Sequence, residues 1–180
     1  MKAITKAAAF LDRDGVINYD LGYVGEISRF QFIPKAAAAC HALSQMGYQL
    51  IVVTNQGGIA LGRYSEEDYH TITDHMTASL RAQGAHLTAV YHSPYHPRGD
   101  DQYIAWRNWR KPQPGMLLAA AKEHHLDLRH SLMVGDKITD MQAAEAAGVP
   151  QRYFIGAHKD APAGAVACSS LAAVVALLQK

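Results

Sequence analysis

Short, continuously apolar segments alternate along the chain with longer segments whose apolar residues recur every three or four positions. A continuous apolar run is typical of a strand buried on both faces, and the longer period is typical of an amphipathic helix. The predicted strands are residues 7–11, 49–53, 87–91, 132–134 and 152–155. The predicted helices are residues 35–46, 65–83, 116–125, 138–147 and 171–178. This alternation predicts an α/β fold with a doubly wound, Rossmann-like parallel sheet.

Two connections in this pattern are long, residues 15–33 after the first strand and residues 92–113 after the third. Long ordered loops in a compact domain usually serve a function. Neither connection is long enough to form an independent cap domain. We therefore expect residues 1–180 to form a single domain whose site is bordered by these two loops.

The amino-acid composition indicates which partners and which cellular compartment to expect. Hydrophobic residues make up 49% of the chain and charged residues 18%, and the formal net charge is +1. A chain without a broad basic field is a poor candidate for binding nucleic acid or an anionic membrane surface. The two cysteines, Cys40 and Cys168, each lie in an alanine-rich apolar stretch, which predicts buried thiols in a reducing compartment.

The N-terminus resembles the start of a signal peptide, because Met1 and Lys2 precede the apolar residues 7–11. Asp12 ends that apolar run too early for a signal peptide. No other apolar run approaches the roughly 20 residues that a membrane helix needs. The sequence therefore predicts a cytoplasmic protein.

In parallel α/β sheets, ligands bind at the carboxyl ends of the strands, so the residues that follow each predicted strand are the candidates for chemistry. Asp12 and Asp14 follow the first strand. At extended spacing both carboxylates point to the same side, and they repel each other unless a cation lies between them. This pair indicates either a divalent metal site or a simple polar turn.

The next two strands are followed by groups that suit phosphate oxygens. Thr54, Asn55, Gln56 and Gly57 offer a hydroxyl, side-chain amides and unhindered backbone N–H groups, although a glycine turn explains this segment better when it is taken alone. After the third strand and its long loop, Arg110 and Lys111 lie just before two prolines that restrict the backbone. Their alternative interpretation is a solvated pair of surface cations.

The fourth strand leads into Gly135 and Asp136, with Lys137 next and Asp140 one helical turn after Asp136. Either acid could cap the following helix. The two acids could also share one cation, the second of them through water or a lysine. Each signal is weak alone, but all four follow successive predicted strands, so together they predict one phosphate-handling site.

The order of these motifs resembles that of the haloacid dehalogenase superfamily of phosphotransferases, a Rossmann-like fold that here would lack a cap domain. The likeness extends over about residues 8–150, with segments that look like the heptose 1,7-bisphosphate phosphatase branch. Those segments are residues 10–18, 22–24, 32–34, 53–60, 110–116 and 133–137.

The resemblance implies roles for individual residues. Asp12 would be the nucleophile, and Asp14 would protonate the leaving oxygen and then activate water. Thr54 and Lys111 would hold the transferring phosphoryl group. Asp12, Asp136 and the backbone carbonyl of Asp14 would bind Mg²⁺.

The resemblance also implies a substrate and a set of residues that line its site. The substrate would be a small phosphorylated sugar, hydrolysed through an aspartyl-phosphate intermediate during synthesis of heptose nucleotide precursors, and the protein would act as a monomer. The residues that match the lining positions of the family are Arg13, Asp20, Gly22, Tyr23, Asn55, Gln56, Gly57, Arg110 and Lys137.

One departure from the family concerns zinc. The family usually carries a structural zinc ion in the loop after the third strand, held by a Cys-x-His pair and a later Cys-x-Cys pair. The aligned residues here are Ser93, Tyr95, Arg107 and Trp109, and none of them is a good zinc ligand. We therefore expect no zinc, and a loop held instead by aromatic and proline packing.

Other hypotheses remain at this stage. The same motifs serve histidinol-phosphate phosphatases and polynucleotide 3′-phosphatases, and the near-neutral charge argues against the latter. A phospho-receiver module accepts phosphate on an aspartate after a middle strand, whereas the third strand here leads into Tyr91, His92 and Ser93. A binding module without catalytic activity is a further alternative, although every catalytic position is filled.

Overall fold

The computed structural model describes residues 6–180. Met1 and Lys2, on which the comparison with a signal peptide depended, lie outside the described residues. Within residues 6–180, no helix is both long enough and apolar enough to cross a membrane.

Six parallel strands form one sheet at the centre of the fold. They are β1 (Ala8–Leu11), β2 (Gln49–Asn55), β3 (Leu87–Ser93), β4 (Leu132–Gly135), β5 (Gln151–Ile155) and β6 (Val166–Cys168). Their order across the sheet is β3-β2-β1-β4-β5-β6. The chain therefore builds outwards in one direction from β1, returns to its other side at β4, and continues outwards. The doubly wound α/β architecture predicted from the sequence is confirmed.

Five α-helices cover the two faces of the sheet. They are α1 (Ala36–Gln45), α2 (Glu66–Ala82), α3 (Gly115–His124), α4 (Ile138–Ala147) and α5 (Leu171–Leu178). Apolar residues of α1, α2 and α5 pack in one cluster with Ala9 and Leu11 of β1. Residues of α3 and α4 pack in a second cluster with Ala8 and Phe10. Alternate residues of the central strand thus face opposite layers, which explains why the whole strand is apolar.

Apart from shifts of one residue at the ends of elements, the structure corrects the predicted strands in three places. Strand β3 continues to Ser93, beyond the predicted end at residue 91. Strand β6 was not predicted, because Val166–Cys168 is only three residues long, too short for its apolar residues to indicate a strand. Strand β2 extends to Asn55, beyond the predicted end at residue 53, so Thr54 and Asn55 belong to the strand rather than to the turn after it. Cys40 and Cys168 are buried free thiols, as the sequence predicted.

The two long connections have ordered structure of their own. Residues 15–33 contain a 3-10 turn, Ile27–Arg29, and the Arg29 guanidinium donates hydrogen bonds to the carbonyl groups of Leu21, Gly22 and Tyr23. Residues 92–113 contain a second 3-10 turn, Asp101–Trp106. Both connections begin at the carboxyl ends of their strands, so they border the same edge of the sheet.

Candidate active site

The base of the site is formed where β1, β2 and β4 end. Asp12 follows β1 directly, and its backbone N–H donates to the carbonyl of Val134 in β4, 2.9 Å away. Asp12 and Thr54 are both buried. Two adjacent strands therefore hold a carboxylate and a hydroxyl at one edge, as the sequence predicted.

Lys111 reaches this edge from the loop that follows β3. Its ammonium donates to Asp12 Oδ1 at 2.9 Å and to the carbonyl of Val53 at 2.7 Å, and it lies 2.6 Å from Asp140 Oδ1. Burial alone would lower the pKa of Lys111, but the carboxylates of Asp12 and Asp140 outweigh it and raise that pKa. The buried lysine is therefore a fixed positive charge beside Asp12.

Asn55 determines where Lys111 lies. Its side-chain amide donates to the carbonyl of Lys111 at 3.0 Å and accepts from the backbone N–H of the same residue at 2.9 Å. This paired contact attaches the loop after β3 to the end of β2. The structure thus gives Asn55, a predicted substrate contact, a role in holding the lysine.

Asp140 is the residue whose role the sequence left open. Its Oδ2 accepts the backbone N–H of Lys137 at 2.9 Å, so it caps α4, and its Oδ1 faces the ammonium of Lys111. The structure shows the predicted cap and also a contact with a lysine, while a cation shared with Asp136 stays a prediction. The signal in the sequence was its spacing of one helical turn from Asp136.

The chemistry of this edge fits a divalent cation. Among residues 6–180, the carboxylates of Asp12, Asp136 and Asp140 form the one group of three or more potential ligands whose ligand atoms all lie within 4.8 Å of one another. Asp136 Oδ1 is buried and has no hydrogen-bond partner in the described chain. Because burial and the nearby Asp12 carboxylate raise the pKa of Asp136 to about 7, a cation there would stabilise its charged form.

A glycine makes the close approach of these carboxylates possible. Gly15 has a φ of +88°, and a Cβ at this position would overlap the carboxylate of Asp136. The turn after Asp14 thus requires glycine both for its backbone conformation and for the space that Asp136 occupies.

Asp14 lies beside this edge and is held by three neighbouring side chains. Arg13 contacts it through Nε at 3.2 Å and Nη2 at 3.0 Å, Asn18 Nδ2 donates to it at 2.8 Å, and Gln56 Nε2 donates at 3.0 Å. Arg13 itself is only 1% exposed and does not line the pocket. This position favours a role in fixing Asp14 over the direct substrate contact that the resemblance implied for Arg13.

A cavity of about 430 Å³ opens above Asp14. Most of the predicted lining residues border it, together with others that the sequence reasoning missed. The predicted ones are Asp14, Asp20, Gly22, Tyr23, Asn55, Gln56, Gly57, Arg110, Lys111 and Lys137, and the missed ones are Val24, Gly58, Tyr64, His96 and Thr139. A smaller cavity of about 30 Å³ adjoins it and is bordered by Asp12 and Asp140. Tyr64 and His96 lie outside the motif segments, and only the folding of the loops brings them here.

The outer part of the cavity carries exposed charges and an exposed ring. Lys137 donates to Asp20 at 2.9 Å across the opening. Burial alone would raise the pKa of Asp20, but hydrogen bonds from Lys137 and the Gly22 backbone lower it. Arg110 donates to the carbonyl of Tyr95 at 3.0 Å, and Tyr23 is held with a φ of +47°. A left-handed backbone in a tyrosine is unusual and indicates that the ring position matters.

The loop after β3 places the four residues aligned with zinc ligands in different contacts. Ser93 donates to the carbonyl of Trp106 at 3.1 Å, and Trp109 packs against Tyr91 with 5.8 Å between ring centroids. The carbonyl of Tyr95 is bonded to Arg110. Aromatic packing and backbone hydrogen bonds therefore order this loop, and the absence of zinc stays a prediction.

Comparison of the sequence with known proteins finds relatives whose names agree with one another. The family model described as HAD-hydrolase-like matches residues 108–151. The D-glycero-beta-D-manno-heptose-1,7-bisphosphate 7-phosphatase of Salmonella typhi is 45% identical over 159 residues, which are 88% of this chain and 85% of that protein. The enzyme of the same name from Escherichia coli K12 is 46% identical over 84% of this chain and 80% of its own length.

A similar solved structure has a name that agrees with those of the two sequence relatives. The D,D-heptose 1,7-bisphosphate phosphatase from B. bronchiseptica, crystallised with magnesium and phosphate, has a TM-score of 0.85 and 31% identity to this chain. The match covers 96% of this chain and 98% of that one. These relatives rule out the receiver and inactive binding-module hypotheses, because they are phosphatases that align along most of the chain. The chain therefore belongs to the heptose-1,7-bisphosphate 7-phosphatase family of haloacid dehalogenase-like phosphatases.

Proposed function

We propose that the chain hydrolyses the 7-phosphate of D-glycero-β-D-manno-heptose 1,7-bisphosphate, with Asp12 as the nucleophile and Mg²⁺ as the cofactor. The observation that carries this proposal is the buried contact of Asp12 with Lys111, because Lys111 lines the cavity of about 430 Å³ and Asp12 borders the small cavity that adjoins it. Such a volume is typical of small-molecule sites. The names of the relatives support the choice of sugar.

In the first half-reaction an oxygen of Asp12 attacks the phosphorus, and the bond from phosphorus to the sugar oxygen breaks. The ammonium of Lys111, 2.9 Å from Asp12 Oδ1, offsets repulsion between the carboxylate and the phosphate. The Thr54 hydroxyl holds the transferring group in line. Asp14 gives its proton to the departing sugar oxygen, a contribution typically worth about 10²–10⁴ in rate.

In the second half-reaction Asp14, now ionised, takes a proton from water, and that water attacks the phosphorus of the acyl phosphate on Asp12. The bond between phosphorus and the Asp12 oxygen breaks, and inorganic phosphate leaves. The acyl phosphate is easier to hydrolyse than the sugar ester, so one difficult step becomes two easier ones.

The acidic residues at the sheet edge would hold Mg²⁺. Asp12 and Asp136 would bind through carboxylate oxygens and Asp14 through its backbone carbonyl, and the unpaired Oδ1 of Asp136 supports this assignment. When bound, the ion supplies positive charge that offsets repulsion between Asp12 and the phosphate. Asp140 is occupied by Lys111 and by its cap of α4, so we assign it to positioning the lysine.

Residues around the opening would select the sugar bisphosphate. Arg110 and Lys137 supply positive charge beyond what the reacting phosphate needs, which favours a substrate with a second phosphate. The Asp20 carboxylate can accept hydrogen bonds from hydroxyl groups of the sugar. The aromatic ring of Tyr23 offers a face against which the sugar can pack. Gln56 and Gly57 border the path between the opening and the base.

The remaining features of the proposal follow from the sequence. The chain acts as a single domain without a cap and as a monomer, and it needs no zinc in residues 92–113. Its partner is a small phosphorylated sugar, and neither nucleic acid nor a membrane takes part. A cytoplasmic location stays a prediction.

The test is phosphate release from both anomers of the heptose bisphosphate, with histidinol phosphate measured in parallel. In the presence of Mg²⁺ we expect a higher kcat/KM for the β-anomer than for histidinol phosphate. Product analysis should find the phosphate retained at position 1. Chelation of Mg²⁺ should stop the reaction, and added Mg²⁺ should restore it.

Two results would contradict the proposal. Equal kcat/KM for the heptose and for histidinol phosphate would make the protein a generalist phosphatase. Full activity after chelation would remove the metal from the mechanism. Zinc content measured on the purified protein checks the expectation for the loop separately.

A further inference from the structure

Tyr64 lies beside the catalytic groups, although neither the sequence motifs nor the proposed mechanism gives it a role. Its ring is packed between two glycines, since a Cβ added to Gly25 or to Gly58 would overlap it. Its hydroxyl donates a hydrogen bond to Gln56 Oε1. Burial raises the pKa of Tyr64, so the hydroxyl keeps its proton at neutral pH and remains a donor.

Gln56 has one orientation that satisfies its neighbours. Oε1 accepts from Tyr64 and from Arg13 Nη2, the latter at 3.2 Å, while Nε2 donates to Asp14 Oδ2 at 3.0 Å and to Thr54 Oγ1 at 2.8 Å. The reversed amide would place its oxygen against the Asp14 carboxylate and its NH₂ group against the guanidinium. Tyr64 and Arg13 together therefore keep the amide donors directed at Asp14 and Thr54.

The same donors determine where the carboxylate of Asp14 lies. Gln56 bonds to Oδ2 from one side and Arg13 contacts both oxygens, while Asn18 donates to Oδ1 at 2.8 Å. The side chains of Arg13 and Asp14 are only 1% and 15% exposed, so these bonds are largely shielded from water. A lost bond from Tyr64 would leave Gln56 Oε1 with Arg13 alone and would loosen both Gln56 contacts.

We propose that Tyr64 is a positioning residue, which acts through Gln56 to fix the Asp14 carboxylate beside the reacting phosphate. The inference rests on the proposed function, because it assumes that Asp14 protonates the leaving oxygen. The Tyr64 hydroxyl bonds to Gln56 and not to Asp14 itself. It sets the geometry of the acid, and geometry within hydrogen-bond reach is what general-acid catalysis requires.

This role has a consequence that a merely structural role lacks. A sugar alkoxide is a poor leaving group and needs a proton from Asp14 as it departs. The phenolate of an aryl phosphate such as 4-nitrophenyl phosphate leaves without one. A misplaced Asp14 therefore slows phosphoryl transfer from the sugar ester and hardly affects transfer from the aryl ester, whereas general loosening of the site slows both.

The experiment measures kcat/KM of Tyr64→Phe on the two substrates. We expect about a tenfold loss on the heptose bisphosphate and less than about a twofold loss on 4-nitrophenyl phosphate, since positioning supplies part of the acid's effect. Tyr91→Phe is a matched control, because Tyr91 is also buried and donates its hydroxyl to a side chain, Glu123, outside the site. It should leave both values unchanged.

A double-variant cycle tests the path through Gln56. Gln56→Met removes the amide at similar length, and adding Tyr64→Phe to it should cost less than about twofold further, since residues that act as a unit are not additive. A full tenfold loss in both backgrounds would show that Tyr64 does not act through Gln56, and would overturn the inference.

Other outcomes separate this inference from the proposed function. Asp14→Asn should lose far more kcat/KM, which reports the phosphoryl-transfer step, on the sugar ester than on the aryl ester. If it does, equal losses of Tyr64→Phe on the two substrates, or no loss at all, overturn the role of Tyr64 alone. If Asp14→Asn makes no such distinction, the assignment of Asp14 as the acid fails, and the positioning inference fails with it.

Discussion

The base of the cavity and its opening both carry opposite charges in contact, but they differ in exposure. At the base, Asp12, Lys111 and Asp140 are 4%, 3% and 1% exposed. At the opening, the side chains of Lys137 and Asp20 are 54% and 33% exposed, although their ion pair is also 2.9 Å long. Equal distances therefore do not mean equal energies, because water screens the outer pair and not the inner one.

This difference in exposure suggests that the charges at the base and those at the opening serve different functions. Charges at the base are fixed by strand ends and by Asn55, so they are already arranged when the phosphate arrives, which is what stabilises a transition state. Charges at the opening are exposed, so a substrate can replace the water that surrounds them, which suits recognition of the substrate. We therefore expect changes at the base to act on kcat and on folding, and changes at the opening to act on KM.

Asp12→Asn should have the largest effect. An amide is too weak a nucleophile to form the phosphorylated intermediate, so we expect kcat to fall by at least about 10⁴-fold. The fold should persist, since asparagine has the same shape. Phosphate release and circular dichroism check the two expectations. Asp74→Asn, on the exposed face of α2, is the control and should retain full activity, while substantial turnover by Asp12→Asn would refute the nucleophile assignment.

Lys111→Met is expected to damage both catalysis and stability. It leaves the carboxylates of Asp12 and Asp140 buried together without their cation, and an uncompensated buried charge typically costs about 3–5 kcal/mol. Activity should fall by about 10²–10³-fold, as for loss of a charge-stabilising donor. Denaturant unfolding in chelator measures the stability. Lys122→Met on the surface of α3 should change neither quantity, and an unaffected stability in Lys111→Met would show that the base is screened after all.

The pH dependence of stability tests the acidic cluster. The pKa of Asp136 is raised to about 7 by burial and by Asp12, against an ordinary value of 3.8. Between these values the folded protein binds more protons than the unfolded chain, so the metal-free protein loses stability from this group as the pH rises from 4 to about 7. We expect a fall in Tm of a few degrees over this range, measured by thermal unfolding in chelator.

Mg²⁺ should reverse that loss, because an ion that binds only the folded state stabilises the folded state. Mg²⁺ also binds ionised carboxylates better than protonated ones, so its stabilising effect should grow as Asp136 loses its proton. The gain in Tm on adding Mg²⁺ should therefore increase between pH 5 and pH 8. Asp136→Asn serves as the control and should show a smaller pH dependence and a smaller gain. A gain that is the same at every pH would argue against Asp136 as a ligand.

Lys137→Met should have the smallest effect. It removes an exposed partner of Asp20, and exposed ion pairs contribute only about 0–1 kcal/mol, so stability should hardly change. Loss of one cation near the substrate should raise KM by up to about tenfold with kcat within about threefold. Steady-state kinetics measure both, with Lys159→Met as the surface control. A collapse of kcat instead would place Lys137 among the groups at the base.

Much of the site could be predicted from the sequence because the motif residues follow apolar strands directly. Asp12, Thr54 and Asp136 are held at the ends of β1, β2 and β4, and parallel strands bring these ends to one edge. The period of the apolar residues predicted that sheet, and the residue types at its edge predicted the chemistry. Strand β6 was not predicted, because its three residues are too few to show a pattern of apolar positions.

The partner and the burial of individual side chains were not predictable in this way. Spacing along the chain did not show that the lysine beside Asp140 is Lys111, that Arg13 is buried behind its neighbour Asp14, or that Tyr64 bonds to Gln56. The sequence by itself determined the sheet and the groups at its edge, because apolar periodicity and strand direction are local properties. Only the tertiary structure decided which charges are buried together and which face water, because burial depends on how loops and helices pack over that edge.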